Sequence, residues 1–347
     1  MKTLLYFVLI MGVIVLIHEF GHFIFAKLFK IYVHEFAIGM GPKLLHYKKK
    51  GGETEYSLRL IPIGGFCALA GEEVEEDTSL PKDRKLQGKP AWQRFLVMFF
   101  GAGFNFILAV ILLFMIAVIW GAPTTTPKLS SIEIGKPADL AGLQVGDTIT
   151  KINSHKTSTI DDVSIYLQLA DKSKPIIFEV KTNTGDIKKI SVNPIKEEIN
   201  GNTVYRIGVG LAGEIHHTFG SILNYTVVKT GSLFKQMFIT LGGLFKGDIG
   251  IKQLSGPVGI YNIVGEQAKG GLENIIYLIA LLSINVGFIN LLPLPAFDGG
   301  RILFLIIEKI KGSPVKPATE NMIHSIGFFL IIALMLYITF NDILRLF

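Results

Sequence analysis

Val15-Leu16-Ile17-His18-Glu19-Phe20-Gly21-His22-Phe23 lies inside an apolar run from Leu4 to Phe29. On a helix, residues four apart stack on one face. His18 and His22 can therefore offer two imidazoles to one metal ion. Glu19 projects about 100° away around the helix, within reach of the proton of a metal-bound water. The pattern His-Glu-x-x-His points to metal-assisted hydrolysis. Its setting is unusual, because the surrounding run is long enough to span a bilayer. A secretory leader is the alternative, since Lys2 precedes apolar residues. The run is too long for a leader, lacks a small-residue cleavage site, and would lose the motif on cleavage. Three ionisable groups deep in such a run are expensive, and their default reading is functional.

The rest of the composition agrees with a membrane setting. The chain has 347 residues, half of them hydrophobic, and a lone cysteine, Cys67. One cysteine excludes an intrachain disulfide and a multi-cysteine metal site. The formal charge of +6 is concentrated near the expected membrane ends, so topology explains it and nucleic acid does not. Apolar runs predict four transmembrane helices: Leu4–Phe29, Phe95–Trp120, Ile275–Leu294 and Met322–Phe340. Lys/Arg placement puts residues 30–94 and a short 301–316 loop on the cytoplasmic side.

Between the first two spans the chain turns strand-like over Val33–Leu45 and Glu55–Leu60, around the turn signal Lys48-Lys49-Lys50-Gly51-Gly52. Ile61–Gly71 is too irregular for a helix. Gly64 and Gly65 there can let backbone approach a ligand or another strand, or simply belong to a hairpin. The acidic run Glu72–Asp77 and the basic run Lys82–Lys89 read as solvated loop. In the second span, Asn105 needs buried partners. It can bond a neighbouring helix, or hold backbone or substrate near the metal.

Hydrophobicity falls from Pro123 to about Gly213, and period-two stretches appear at 129–134, 147–152, 175–180, 187–192 and 204–209. Ile160–Ala170 reads as a helix capped by Thr159. Pro137-Ala138-Asp139-Leu140-Ala141-Gly142-Leu143-Gln144-Val145-Gly146-Asp147 resembles the signature of a bacterial PDZ domain. The domain layout expected is thus 1–122 with the first two spans and the strand region, 123–213 PDZ-like, 214–272 amphipathic membrane-surface helices, and 273–347 with the last two spans. Phe219–Phe245 belongs to the amphipathic part, with a further span as the alternative.

The third span ends in Leu291-Leu292-Pro293-Leu294-Pro295-Ala296-Phe297-Asp298-Gly299-Gly300-Arg301. Two prolines break the helix, and irregular backbone at membrane depth must be buried in protein or line a cavity. Asp298 at that break lacks a partner, and two imidazoles lack a third protein ligand for zinc. Each gap fits the other; the alternative is that Asp298 caps the following helix. His324 reads as an ordinary helix-end residue.

Taken together, these motifs resemble the site-2 protease family of intramembrane zinc metalloproteases, in its bacterial RseP-like branch with one PDZ domain. The resemblance covers nearly the whole chain. It rests on His18-Glu19-Phe20-Gly21-His22, Gly64-Gly65-Phe66, the PDZ-like insertion, Gly256-Pro257-Val258-Gly259-Ile260, and Asn290 upstream of Asp298-Gly299-Gly300. It implies a multi-pass α-helical membrane protein with a membrane-dipping β-hairpin over Val33–Leu69 and an inserted α+β PDZ domain. It implies zinc held by His18, His22 and Asp298, Glu19 as general base, and Asn290 touching substrate near the scissile bond. Gly64, Gly65 and Asn105 complete the candidate substrate-binding set. The implied substrates are single-span membrane proteins, such as anti-sigma factors or remnant signal peptides, cut in regulated intramembrane proteolysis. The implied location is the bacterial inner membrane, with the PDZ-like domain extracytoplasmic and able to take a peptide ligand. Two departures stand out. Gly101-Ala102-Gly103-Phe104-Asn105 replaces the Gly-Pro that often precedes the family's Asn, and there is room for one PDZ-like domain only. The rival readings are a membrane scaffold with a degenerate site, which predicts missing site residues, and a metal transporter, which leaves Glu19 unexplained.

Overall fold

The computed structural model describes residues 2–72, 79–199, 202–250 and 254–345. It divides into two compact units, Met1–Leu112 with Ile251–Phe347, and Leu113–Gly250. Past Glu72, the acidic run Glu72–Asp77 lies outside the described residues.

In chain order the helices are α1 (Lys2–Leu28), α2 (Ala91–Trp120), α3 (Pro137–Leu140), α4 (Ile160–Leu169), α5 (Phe219–Lys246), α6 (Pro257–Lys269), α7 (Leu272–Asn290), α8 (Asp298–Lys311) and α9 (Pro317–Leu344). Among the described residues, four helices are long and apolar enough to cross a membrane: α1, α2, α7 and the Ala318–Leu344 part of α9. The third stops at Asn290, short of the expected Leu294, because Pro293 and Pro295 cannot continue the backbone ladder. The expected 301–316 loop is a correction. Most of it is α8, which ends at Gly312 in the left-handed conformation (φ +76°) that glycine adopts without strain.

The first unit is built on α1. Ile10 and Ile14 of α1 pack with Val264 of α6 and with Ile275 and Leu278 of α7. The expected 214–272 surface segment is therefore divided, since α6 belongs to the helical bundle. The N-terminus of α6 begins at Gly256 and Pro257, and the side chain of Asp342 near the end of α9 accepts from Gly256 N (2.9 Å) and Gly259 N (2.8 Å). A helix N-terminus leaves unsatisfied donors, and this one is capped by a carboxylate from another helix.

The strand region is more regular than its sequence implies. β1 (Val33–Lys48) and β2 (Glu55–Leu69) form one bent hairpin. Positive φ angles at Gly39, Gly41 and Gly64 make the bends. As a result Glu35–Ile38 lies beside both Glu55–Leu58 and Gly65–Ala68, while Lys43–Lys48 pairs with Glu55–Arg59. The segments run side by side in the order 43–48, 55–59, 33–38, 65–69. Segment 65–69 is an edge among the described residues.

The second unit is α+β. Its main sheet has the order 155–156, 148–152, 176–181, 187–192. Ile149, Ile152, Phe178, Val180 and Val192 from the sheet close a core with Val163 of α4. α4 carries the expected Thr159 cap, with Asp162 completing a capping box. The expected 204–209 strand is two strands, 202–206 and 209–211, separated where Gly208 has φ +84°. α5 is one continuous helix and is not among the four candidate spans. It is held to α4 by Lys229–Asp161 and Lys235–Asp162 ion pairs, each 2.7 Å, and by Thr159 Oγ1 to Ser232 Oγ at 3.1 Å.

Candidate metal centre

His18 and His22 lie on one face of α1 and are buried. Asp298 is the first residue of α8. Phe297, not Asp298, occupies the N-cap position, and no side-chain cap bond forms there. The capping alternative for Asp298 therefore fails. Instead its Oδ2 comes within 3.2 Å of His18 Nε2 and 3.3 Å of His22 Nε2, and the two Nε2 atoms are 3.3 Å apart. Ligand atoms about 2.0–2.1 Å from a tetrahedral zinc ion lie about 3.3–3.4 Å from one another. The triangle matches that spacing.

The protonation pattern fits as well. His22 Nδ1 is 2.9 Å from the carbonyl of Val97 on α2. A carbonyl only accepts, so Nδ1 carries the hydrogen and a neutral His22 keeps a bare lone pair on Nε2. Asp298 Oδ2 is buried without a hydrogen-bond donor among the described residues. A buried acceptor left this way is costly, and a cation relieves it. The centre therefore fits a divalent ion held by two nitrogens and one oxygen.

Close helix packing positions this triangle. A Cβ at Gly21 would collide with the Phe100 carbonyl, and one at Gly101 would collide with the His22 imidazole. Only glycine lets α1 and α2 approach so far. Gly299 and Gly300 do the same for the start of α8, where a Cβ would strike the carbonyls of Leu291, Leu292 and Leu294. Asp298 is thus pressed against the proline loop that launches it.

The triangle opens into a cavity of about 1080 Å³ that Glu19, Asn290, Phe66, Cys67, Arg301 and His324 also line. Among the described residues, no hydrogen bond or ion pair occupies the Glu19 carboxylate. Asn290 donates to the Val286 carbonyl at 3.0 Å. Gly65 is close by, since a Cβ there would sit 3.8 Å from Glu19 Cγ. Gly64, with φ +91°, turns the strand against Met40. Asn105 is fully buried and does not line the cavity. Its backbone carbonyl accepts from Ser283 Oγ at 2.8 Å, and both polar atoms of its side chain lack partners among the described residues. That bond uses the Asn105 backbone, so neither the helix-packing nor the substrate-contact reading of its side chain gains a partner among the described residues. Burial pushes the Cys67 thiol up, so it remains protonated.

Two participants escaped the sequence reading. His324 lines the cavity, and its Nδ1 accepts from Ala296 N at 2.9 Å. Ala296 has φ +72°, a strained value for a residue with a Cβ. Arg301, one turn after Asp298, pairs with Glu72 at the exit of β2. The polar character of His324 in an apolar helix was the available signal for the first. Nothing in the sequence pairs Arg301 with Glu72.

The comparisons bear on the whole chain. The family model described as peptidase family M50 matches residues 6–334. A protein from Clostridium perfringens that carries a zinc metalloprotease name is 37% identical, covering 98% of both chains. The zinc metalloprotease RasP of Oceanobacillus iheyensis is 31% identical, covering 100% of both. The solved PDZ domain of an SdrC-like protein from Listeria innocua is 21% identical, covers 27% of this chain and 99% of its own, and has a TM-score of 0.22. The chain belongs to peptidase family M50, the site-2 protease family, and is a zinc metalloprotease with several apolar, membrane-competent helices.

Proposed function

We infer that this protease hydrolyses peptide bonds within or next to the membrane-spanning segment of single-span membrane proteins. His18, His22 and Asp298 hold its zinc, and Glu19 serves as general base. The observation that carries the reading is the convergence of these side chains on one cavity whose wall is the edge segment 65–69. When bound, zinc would act as a Lewis acid and lower the pKa of a water beside it. Glu19 takes the proton of the attacking water and delivers it to the leaving amine.

A transmembrane helix satisfies its own backbone, so its peptide bonds are shielded until it unwinds. Segment 65–69 offers the freed backbone a strand to pair with. Gly65 keeps that edge flat beside Glu19, and Asn290 lies across the cavity to fix the substrate carbonyl. Anti-sigma factors and remnant signal peptides are substrates of the right architecture. The site faces the cytoplasmic side of the bacterial inner membrane, given the basic residues at the end of α1 and the start of α2. The second unit serves as an extracytoplasmic PDZ-like domain, which either takes a peptide terminus or filters substrates by size. α5 lies along the membrane surface, with Phe219, Leu223, Val227, Phe238 and Phe245 exposed.

Glu19→Gln tests the assignment. The variant should retain one zinc per chain and lose cleavage of a single-span substrate in detergent. Cleavage at the wild-type rate would remove Glu19 from the mechanism.

A further inference from the structure

Two cavities adjoin on α1 away from the metal triangle, and they share Tyr56. One, of about 430 Å³, lies between the end of α1, the β1–β2 turn and Arg84. Lys27, Lys30, Lys49 and Arg84 line it, with Glu53 as its one carboxylate. Four cations against one anion leave a formal charge of +3. Glu53 already holds Lys27 (3.2 Å) and Arg84 (2.6 Å). Lys30 and Lys49 have no ion pair among the described residues, and Arg84 Nε is buried without a partner. The other cavity, of about 370 Å³, is lined by Phe20, Phe23, Phe36, Leu45 and Leu58 besides Tyr56. The two meet where Lys27 Nζ sits 5.9 Å from the Phe23 ring.

Their levels relative to a membrane can be read from α1. Lys27 is in its last turn, and Trp92, at the start of α2, is exposed with its ring 5.3 Å from Phe29. Lysine and tryptophan at helix ends mark the membrane–water interface. From Lys27 back to Phe20 the helix rises about 10 Å, so the aromatic groove runs from that interface into the span. Lys30 adds an independent sign. It occupies the left-handed position (φ +58°) that ends α1, with Lys30 N on the Lys27 carbonyl and Ile31 N on the Ala26 carbonyl. Glycine is the usual residue there. A lysine at a strained position, facing a cationic cavity, is the kind of local cost that functional sites retain.

We propose that these two cavities form one binding site for an anionic phospholipid. The phosphate headgroup lies among Lys30, Lys49 and Arg84, and an acyl chain lies along Phe20, Phe23 and Tyr56. The excess positive charge selects an anionic headgroup over a zwitterionic one, because the cavity's one carboxylate among the described residues is already engaged by two cations. The aromatic groove selects an amphiphile over a free anion. Such a lipid ties the β1–β2 turn to the end of α1, under two helical turns from His22.

The test uses the full chain with zinc bound, in detergent, with native mass spectrometry to count bound lipid. The probes are dioctanoyl phosphatidylglycerol, dioctanoyl phosphatidylcholine and inorganic phosphate. The intact protein should retain one phosphatidylglycerol in preference to phosphatidylcholine. Two lysines, each contributing about fivefold near an anionic surface, make the preference roughly 25-fold. Lys30→Gln/Lys49→Gln should remove it while zinc content and helical circular dichroism stay unchanged. Phe23→Ala should weaken both lipids equally. Equal retention of the two lipids by the intact protein, or an unchanged preference in the double variant, overturns the proposal. So does displacement of phosphatidylglycerol by inorganic phosphate at equal concentration, which would leave a headgroup site without a chain groove. If Lys30→Gln/Lys49→Gln loses its helical signal, Lys49→Gln alone, in the exposed turn, should lower the preference about fivefold, and no change there refutes the site.

Discussion

Gly101→Ala should disable the metal centre without touching a ligand. An alanine Cβ at 101 would stand 3.0 Å from His22 Cδ2, and closer still to Cε1 and Nε2. Ordinary carbon contacts are about 3.5–4.0 Å, so the ring must retreat by about 1 Å or the helices must part. The ring cannot swing freely, because Nδ1 is held by the Val97 carbonyl at 2.9 Å. Nε2 is one vertex of a triangle with edges of 3.2–3.3 Å, and zinc sites tolerate ligand displacements of only about 0.2 Å. Zinc affinity should fall about 10–100-fold, the range seen when support for a ligand is lost. Turnover should fall about 100-fold, as a 1 Å misplacement implies. Chelator competition followed by metal analysis reads the first, and cleavage of a single-span substrate in detergent reads the second. Gly12→Ala is the control, since its Cβ would meet nothing closer than the Pro62 carbonyl at 3.7 Å. If Gly101→Ala holds one zinc as tightly as the wild type and cleaves at the same rate, while His22→Ala loses both, helix proximity does not set the ligand geometry.

Two further predictions concern the supports around this centre and the second unit. His324→Leu removes the acceptor for Ala296 N–H, and an unmet part-buried donor costs about 1 kcal/mol. Zinc release to a chelator should quicken about tenfold, whereas His324→Asn, with an oxygen near the former Nδ1 position, should restore the slow rate; equal rates in both variants would rule out the hydrogen bond. In the second unit, Lys136 and Arg206 beside Glu197 hold its carboxyl below the usual carboxylate range. A depressed folded pKa gives stability that is fully present above the unfolded value and lost as pH falls through the folded one. Hydrogen exchange at the 195–199 and 202–206 strands should therefore be pH-independent, after intrinsic-rate correction, from neutrality to about pH 5 and then accelerate; acceleration already at pH 6 would contradict it.

Much of the centre was legible because of cost. Charge inside an apolar run is expensive, so His18, Glu19 and His22 announce themselves, and the same reasoning singles out Asp298 beyond two helix-breaking prolines. Gly101 stands in plain view as a glycine inside the second apolar run, but the side chain it makes room for does not. The acceptor that fixes the His22 tautomer is the backbone of Val97, and a backbone carbonyl has no residue identity to read. The hairpin was underestimated for a related reason. Gly39, Gly41 and Gly64 look like breakers, yet their positive φ angles bend a sheet without ending it, and the edge position of 65–69 depends on those bends. α8 reads as a loop in the sequence because its place between two apolar spans outweighs its own helical pattern. His324 reads as an ordinary helix-end residue because its partner, the N–H of Ala296, lies 28 residues upstream on a loop that only the tertiary fold brings near.

The carboxylate of Asp342 gives the bundle an order of assembly. The glycines it caps precede it by 86 and 83 residues, so during synthesis α6 emerges long before its cap exists. Its open N–H groups must stay in water until α9 has been made and inserted. α6 therefore docks on α1 late, after Asp298 has already been translated. The same last helix brings His324 to the loop that launches Asp298, and Gly327 to Pro295 of that loop. A nascent chain halted before α9 thus carries the ligands of a protease without the clamp that sets them, and proteolytic competence awaits that helix.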